Sequence, residues 1–124
     1  MRIRGSIEMA TAEEIAKTFK VLSDETRLSI LRLLLDGECS VCEVIQKLEI
    51  SQTSASRNLS MLSEAGFLKL KRDGRWSRYS IADEPTRDHI KSLISLVGET
   101  LSSPTVAQKA KEKNPEPKED NLGW

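Results

Sequence analysis

Residues 40–66 read SVCEVIQKLEISQTSASRNLSMLSEAG, and this stretch decides the fold. Ser40 and Ser51 carry the hydroxyl side chains that cap helix N-termini, and Glu43 completes a capping box with Ser40. Apolar residues recur at helical spacing after each cap, and Gly66 ends the second segment. Only two residues separate the segments. The stretch therefore predicts two short helices joined by a tight turn.

Two further helices are predicted upstream. Thr11 and Glu14 form another capping box, and apolar residues at helical spacing follow it. Asp24 caps a second helix, which is apolar nearly all round and ends at Gly37. A helix with this pattern is expected at the buried centre of the core.

A β-hairpin is predicted downstream, over residues 67–81. Apolar and polar residues alternate there around Asp73-Gly74, which we expect to form a two-residue turn. The apolar face carries Leu68, Leu70, Tyr79 and Ile81. The opposite face carries Lys69, Lys71, Trp76 and Arg78.

The last helix and the chain ends complete the organisation. The helix is predicted to begin at Asp83-Glu84-Pro85, a cap followed by a proline suited to the first turn, and to stop at Pro104. Charged residues and proline dominate beyond that point. We therefore expect a flexible N-terminal arm at 1–10, one folded domain at 11–103 and a disordered tail at 104–124.

Composition fits one soluble domain. The chain has 124 residues, of which 38% are hydrophobic. No apolar run approaches the roughly 20 residues of a membrane helix, and the N-terminus lacks a signal-peptide pattern, so a cytoplasmic protein without membrane association is expected. Basic and acidic residues number 19 each. No overall charge attracts a partner, and any basic surface must be local.

The chain has few residues of the types that catalyse reactions. The chain holds one histidine, His89, and two cysteines, Cys39 and Cys42. A dithiol oxidoreductase would place its C-x-x-C motif after a strand in a βαβ pattern, whereas an apolar helix precedes the motif here. We therefore expect a protein that is not an enzyme.

Helix, tight turn, helix and hairpin in this order are typical of a winged helix-turn-helix. We predict a mainly α fold of four to five helices with a two-stranded antiparallel wing, residues 67–81. Helical geometry puts Ala55, Leu59 and Leu62 on the buried face of the second helix of the pair, the recognition helix. Its opposite face and the wing supply the predicted DNA-binding residues: Gln52, Thr53, Ser56, Arg57, Ser60, Lys71, Arg72, Arg75 and Arg78.

Local charge supports an interface with double-stranded DNA. Between Arg57 and Tyr79 there are six basic and two acidic residues, in a chain without net charge. Arg57 can reach guanine or phosphate in the major groove, and Arg75 near the wing tip can enter a minor groove. Two alternatives stay open: a solvated hairpin without a partner, and a winged helix that binds another protein, for which both arginines would be dispensable.

Three segments carry a resemblance to a known family. Residues 19–31 (FKVLSDETRLSIL), 51–59 (SQTSASRNL) and 73–79 (DGRWSRY) resemble the ArsR/SmtB family of prokaryotic metalloregulatory repressors. The resemblance implies a homodimeric repressor that leaves its operator DNA when a metal ion or metalloid binds. It also implies a dimer interface on the first and last helices, where the apolar residues are Ile15, Phe19, Ile90, Leu93, Ile94, Val97 and Leu101.

The resemblance gives the two cysteines a candidate role. Arsenic and cadmium sensors of the family carry thiolates at the start of the helix that precedes the recognition helix, where Cys39 and Cys42 lie. The better-known arsenic pattern differs, because Ser40 and Ile45 occupy two of its three cysteine positions. A first-turn position favours a thiolate at Cys42 through the helix dipole, and Cys39 is close enough to join it. The inducer would then be arsenite or another soft metal ion.

Two other interpretations of the cysteines remain. Cys39 and Cys42 can close a disulfide that distorts the helix start and so act as a redox switch. Alternatively both are structural, with Cys39 packed on Val44 as a hydrophobic staple and Cys42 as a small buried residue. The family's other sensing site, on the last helix, has only three candidate ligands here, and His89 is expected to face solvent. These ligands are Asp88, His89 and Glu99.

Overall fold

The computed structural model describes residues 10–83 and 87–104. Helices and strands follow one another as α1 (Ala12–Leu22), α2 (Glu25–Leu35), α3 (Val41–Leu48), α4 (Gln52–Glu64), β1 (Leu68–Asp73), β2 (Trp76–Ile81) and α5 (Asp88–Thr100). The predicted mainly α winged helix-turn-helix is confirmed. The predicted arm at 1–10 and tail at 104–124 lie outside the described residues, apart from Ala10 and Pro104. No helix in the described ranges has the length and apolarity that crossing a bilayer requires.

The predicted starts of the first four helices are confirmed at their caps. Thr11 and Ser40 each form a complete capping box with the glutamate three residues later. Asp24 accepts a hydrogen bond from the third backbone N–H of α2, and Ser51 does the same for α4, both at 3.0 Å. These bonds satisfy N–H groups that have no partner within the helix, so each start is fixed by local sequence.

The core lies around α2, as its apolar pattern predicts. Ile30 and Leu31 of α2 are completely buried, and α3 and α4 pack their apolar faces against this helix. Phe67, between α4 and the hairpin, is the largest fully buried side chain. The remaining buried apolar residues are Leu22, Leu33, Leu34, Cys39, Val44, Leu48, Ala55, Leu59, Leu62, Leu68, Ile90 and Val97.

The hairpin forms with the predicted faces but with a turn displaced by one residue. Leu68 pairs with Ile81 and Asp73 pairs with Trp76, so Gly74 and the residue after it form the loop. Gly74 has φ 65°. A glycine adopts this conformation without strain, which suits Gly74 to the first position of the loop. The predicted turn is therefore wrong by one position, and Arg75 lies within the turn.

The start of the last helix also differs from the prediction. α5 begins at Asp88, and its N-cap residue Arg87 makes no side-chain capping bond. Arg87 instead pairs with Glu14 of α1, while Asp83, the predicted cap, pairs with Lys69 of the wing. Tertiary ion pairs thus engage both side chains. Residues 84–86 lie outside the described ranges.

The end of α5 precedes the predicted stop. The helix ends at Thr100, and Leu101 is extended. Arg32 of α2 donates to the Leu101 carbonyl at 2.6 Å, and Ser103 hydrogen-bonds Asp36 at 2.5 Å. These contacts hold the segment before Pro104 against the end of α2, which explains why the helix stops early.

Candidate nucleic-acid interface

The recognition helix α4 has one apolar face and one polar face. Ala55, Leu59 and Leu62 are fully buried. The five α4 residues predicted to bind DNA are all exposed: Gln52, Thr53, Ser56, Arg57 and Ser60. Their side chains are short or flexible, so the face can approach the floor of a major groove.

The turn before α4 sets the angle of the helix pair. Glu49 ends α3 in the left-handed conformation, with φ 56° and ψ 49°. The Ile50 N–H then bonds the Ile45 carbonyl at 3.3 Å. This turn reverses the chain in one step, so Ser51 can cap α4 immediately. A left-handed glutamate is uncommon, and its local strain is offset by the packing of the two helices on α2.

The wing divides its predicted DNA-binding residues into two groups. Lys71, Arg72 and Arg75 are exposed, and the Lys71 ammonium lies 3.8 Å from Glu38. Arg78 is half-buried and pairs with Glu38 at 3.1 Å and with Glu43 at 2.9 Å. Arg78 therefore connects β2 to the start of α3, and its positive charge is largely neutralised there.

Arg57 and Arg75 differ from Arg78 in this respect. None of the ion pairs within the described ranges involves Arg57 or Arg75. Arg57 lies on the polar face of α4, and Arg75 lies at the wing tip. Both guanidinium groups are therefore available to phosphates or base edges.

One exposed aromatic residue was missed as a site residue. Trp76 is 66% exposed and lies on the hairpin face that carries Lys71 and Arg78. The alternation of the strand places it on this face, but a search for charged and polar residues passes over an indole. An exposed indole beside basic residues can pack against a bound partner.

The cysteines lie in opposite environments. Cys39 is 2% exposed, and its backbone forms an isolated β-bridge with Tyr79, with N–H to carbonyl distances of 3.0 and 2.8 Å. Burial raises the pKa of the Cys39 thiol above its ordinary value of 9.0. Cys42 is exposed. The interpretation of Cys42 as a small buried residue is wrong, because Cys42 lies on the opposite side of α3 from Val44 and Leu48, which fill the core.

The cysteine, histidine and carboxylate side chains in the described ranges do not form a metal site. Across the described ranges, no three His, Cys, Asp or Glu side chains come close enough together to hold a metal ion. Cys39 would have to lose its proton in an apolar environment, which opposes thiolate formation. One exposed and one buried thiol are too few for a closed tetrahedral site.

The candidate site on the last helix does not assemble either. His89 does not face solvent as predicted, because its Nε2 atom lies 3.1 Å from Thr18 Oγ1 of α1. The Thr18 hydroxyl donates to the Glu14 carbonyl, so it can accept a hydrogen bond from the imidazole. His89 thus joins α5 to α1, and Asp88 and Glu99 remain exposed.

The apolar residues of α1 and α5 separate into core and surface. Ile90 and Val97 are buried in the core of the chain itself, at 2% and 5% exposure. Phe19 and Leu101 are exposed. Ile15, Leu93 and Ile94 are half-buried. Leu96, which the predicted dimer interface did not include, is also exposed.

Comparison with known proteins agrees with the geometry. The family described as "Bacterial regulatory protein, arsR family" matches residues 24–69. The uncharacterized HTH-type transcriptional regulator MJ1325 of Methanocaldococcus jannaschii is 39% identical over 73% of this chain and 99% of its own length. The cadmium resistance transcriptional regulatory protein CadC homolog of Staphylococcus aureus is 40% identical over 75% of this chain and 74% of its own length.

A solved structure supports the same architecture. Reduced HlyU from Vibrio cholerae superposes with a TM-score of 0.62 at 27% identity, over 74% of this chain and 93% of HlyU.

Proposed function

Because this chain belongs to the arsR family of bacterial regulatory proteins, and is thus a transcriptional regulator rather than an enzyme, we propose that it is a homodimeric repressor that binds operator DNA through α4 and the wing. One observation carries the proposal: the exposed polar face of α4 lies in the same stretch as the basic wing, in a chain without net charge. A localised basic surface is the electrostatic footprint of nucleic-acid binding.

The proposed docking places each group in a groove. Arg57 reaches guanine or phosphate in the major groove, and Gln52, Thr53, Ser56 and Ser60 bond base edges or backbone. Arg75 enters the minor groove, where the negative potential favours arginine. Lys71 and Arg72 contact phosphates. Arg78 is assigned a bracing role, because Glu38 and Glu43 already hold it.

A second copy of the chain is the proposed occupant of the apolar face on α1 and α5. Phe19 is 55% exposed and Leu96 is 52% exposed, which leaves apolar surface for a partner. Ile15, Leu93, Ile94 and Leu101 border this face. Two-fold symmetry would then present two α4 helices to half-sites about 34–36 Å apart.

The DNA-binding proposal is tested with selected DNA. Wild-type protein is used to enrich duplexes from a random-sequence pool, and affinity for the enriched duplex is measured by fluorescence anisotropy at several salt concentrations. Each of Arg57→Ala and Arg75→Ala should lower affinity about tenfold and reduce the salt slope by about 1. Lys91→Ala, an exposed basic residue on α5, is the matched control and should change neither. If Arg57→Ala and Arg75→Ala bind the enriched duplex with wild-type affinity, as Lys91→Ala should, this docking is contradicted.

Regulation is proposed at the segment that holds Cys39 and Cys42. Cys39 is hydrogen-bonded to Tyr79 in the wing, and Glu43, the neighbour of Cys42, is paired with Arg78. A chemical change at these thiols would therefore disturb the contacts that hold the wing. A soft metal or metalloid ion is the first candidate effector, because the CadC homolog is named for cadmium resistance and thiols favour soft ions.

A redox effector is the second candidate, since the two cysteines are three residues apart. In that case a two-electron oxidant such as hydrogen peroxide takes two electrons from the thiols. The Cys39–Cys42 disulfide forms, and two molecules of water are released.

The effector is identified by adding arsenite, Cd²⁺ or hydrogen peroxide to the protein–DNA complex. Loss of binding with an ion, abolished in Cys42→Ser, supports ion sensing. Loss with peroxide alone, reversed by dithiothreitol, supports the disulfide. Binding that survives all three reagents would contradict regulation at these thiols and would leave Cys39 with a structural role in the core.

A further inference from the structure

Asn58 is a buried polar residue on the inner face of the recognition helix. It is 7% exposed, although it follows the exposed Arg57 directly. Its Nδ2 atom donates to the carbonyl of Ser54 at 2.9 Å and to the Ser54 hydroxyl at 3.2 Å. Its Oδ1 atom accepts from Arg27 Nη1 at 2.8 Å. Every one of these bonds lies on the side of α4 that faces away from the proposed DNA.

Arg27 joins three elements through one guanidinium group. Its Nε donates to the Val21 carbonyl near the end of α1, and its Nη1 contacts Met61 Sδ of α4 at 3.4 Å. Its own position in α2 is fixed by the N-cap, because Asp24 accepts from the Arg27 N–H. No ion pair within the described ranges includes Arg27, so neutral acceptors hold this cation.

Hydrogen bonds are directional, so they can fix the rotation of a helix that apolar packing alone leaves free. The rest of the buried face of α4 is Ala55, Leu59 and Leu62. Apolar contact is non-directional, so it resists separation of the helices more than it resists a small rotation of α4 about its axis. A rotation of about 10° moves a side-chain tip by about 1 Å at a helix radius of 5–6 Å. Such a shift is enough to spoil a bidentate contact with a base.

We propose that Arg27 and Asn58 are positioning residues that set the rotation of α4 and thereby the sequence specificity of DNA binding. The Arg27 bond to Val21 extends this control to α1, so the helix of the proposed dimer surface and the helix of the proposed DNA surface share one anchor. This inference rests on the proposed function. It assigns a role to two residues that do not touch DNA.

The test compares specific with non-specific binding. The probes are the enriched duplex and a scrambled duplex of equal length, and the quantity compared is the ratio of the two affinities. Asn58→Leu removes the acceptor and should lower this ratio about tenfold, the effect of one buried hydrogen bond to a charged group. Affinity for the scrambled duplex should stay unchanged, because no charge is altered.

Three further variants separate positioning from general damage. Asn58→Asp keeps an acceptor for Arg27 but loses the donor to the Ser54 carbonyl, so it should retain more of the wild-type ratio than Asn58→Leu, although its added charge weakens both affinities. Arg27→Lys keeps the charge but lacks the planar fork that bonds Val21 and Asn58 together, so it should lower the ratio. Ser63→Ala is the matched control, because Ser63 Oγ is buried in α4 without a hydrogen-bond partner. Circular dichroism melts establish that each variant is folded at the assay temperature.

The failures of the two proposals look different. If wild-type protein enriches no sequence and Arg57→Ala has no effect, the proposed function is wrong. If Arg57→Ala weakens binding but both Asn58→Leu and Arg27→Lys keep the wild-type ratio, positioning by this pair is overturned. Positioning is also overturned if Asn58→Asp lowers the ratio of specific to non-specific affinity as much as Asn58→Leu does.

Discussion

The ion pair between Arg78 and Glu43 changes the role that the sequence predicts for Arg78. The Arg78 guanidinium lies in the predicted DNA-binding region, yet it is held by the carboxylate that also completes the capping box of α3. A backbone hydrogen bond from Ser40 and the nearby charge of Arg78 lower the pKa of Glu43 below its ordinary value of 4.5. The charge-dependent part of the contribution of Glu43 to stability is therefore present only while Glu43 is ionised.

This shift predicts an acid dependence of stability. Because the folded pKa is depressed, the contribution of Glu43 is fully present above pH 4.5 and is lost as the pH falls through the lower folded value. Glu43→Gln should therefore be less stable than wild type at pH 7, and the difference should disappear in acid. Urea unfolding from pH 7 to pH 3 measures this, with Glu64→Gln, an exposed residue of α4, as control. A difference that is constant with pH would contradict it.

Trp76 gives a second prediction at the scale of a residue. If the exposed indole packs against DNA, Trp76→Ala should weaken binding several-fold with an unchanged salt slope, because no charge is removed. Trp76→Phe should recover part of the loss. Anisotropy titrations at three salt concentrations provide both quantities. A loss of affinity that comes with a smaller salt slope would point to a displaced basic residue instead of a lost packing contact.

At the scale of elements, the wing depends on the conformation of its turn. Gly74 has φ 65° and a Cβ there would meet no atom within 4 Å, so a substitution is opposed by backbone strain alone. Gly74→Ala should lower the free energy of unfolding by about 1 kcal/mol, and Gly74→Asn should cost less because asparagine tolerates this region. Urea denaturation measures both. Equal stability of the alanine variant and wild type would contradict this turn geometry.

The α3–α4 pair shows a different kind of control by an element. Capping bonds at Ser40 and Ser51 fix where each helix starts, and the left-handed Glu49 fixes the angle between them. The exposed face of α4 is consequently determined twice: by the local turn, and by the Arg27 anchor on its buried side. A groove-reading helix needs both, because one sets its direction and the other its rotation.

For the whole molecule, the proposed interface predicts that the protein has the mass of a dimer in solution. Phe19→Glu and Leu96→Glu place charges on the apolar face of α1 and α5, where burial against a second copy would be costly. Each variant should sediment as a monomer, whereas wild type should sediment as a dimer. Both variants should remain folded as monomers, because neither side chain belongs to the core.

A surface control separates dimerisation from general effects of charge. Trp76→Glu replaces a side chain that is exposed to a similar degree, but on the wing. This variant should remain a dimer in sedimentation velocity experiments. A wild-type protein that sediments as a monomer at micromolar concentration would contradict the proposed interface.

Elements with local signals could be predicted from the amino-acid sequence alone. Four helix starts, the faces of the hairpin and the polar face of α4 follow from capping bonds within three residues and from helical or strand periodicity. Such bonds and periodicities are properties of short segments. They can therefore be predicted without knowing where the rest of the chain lies.

Features that depend on distant partners could not be predicted without the folded structure. Arg27 meets Asn58 across 31 residues of chain, Arg78 meets Glu43 across 35, and His89 meets Thr18 across 71. The same is true of the buried Cys39, whose bridge partner is in the wing. No periodicity in the sequence predicts these contacts, because they arise from the packing of whole helices and strands. Packing thus decided which polar residues brace the fold and which remain free for DNA.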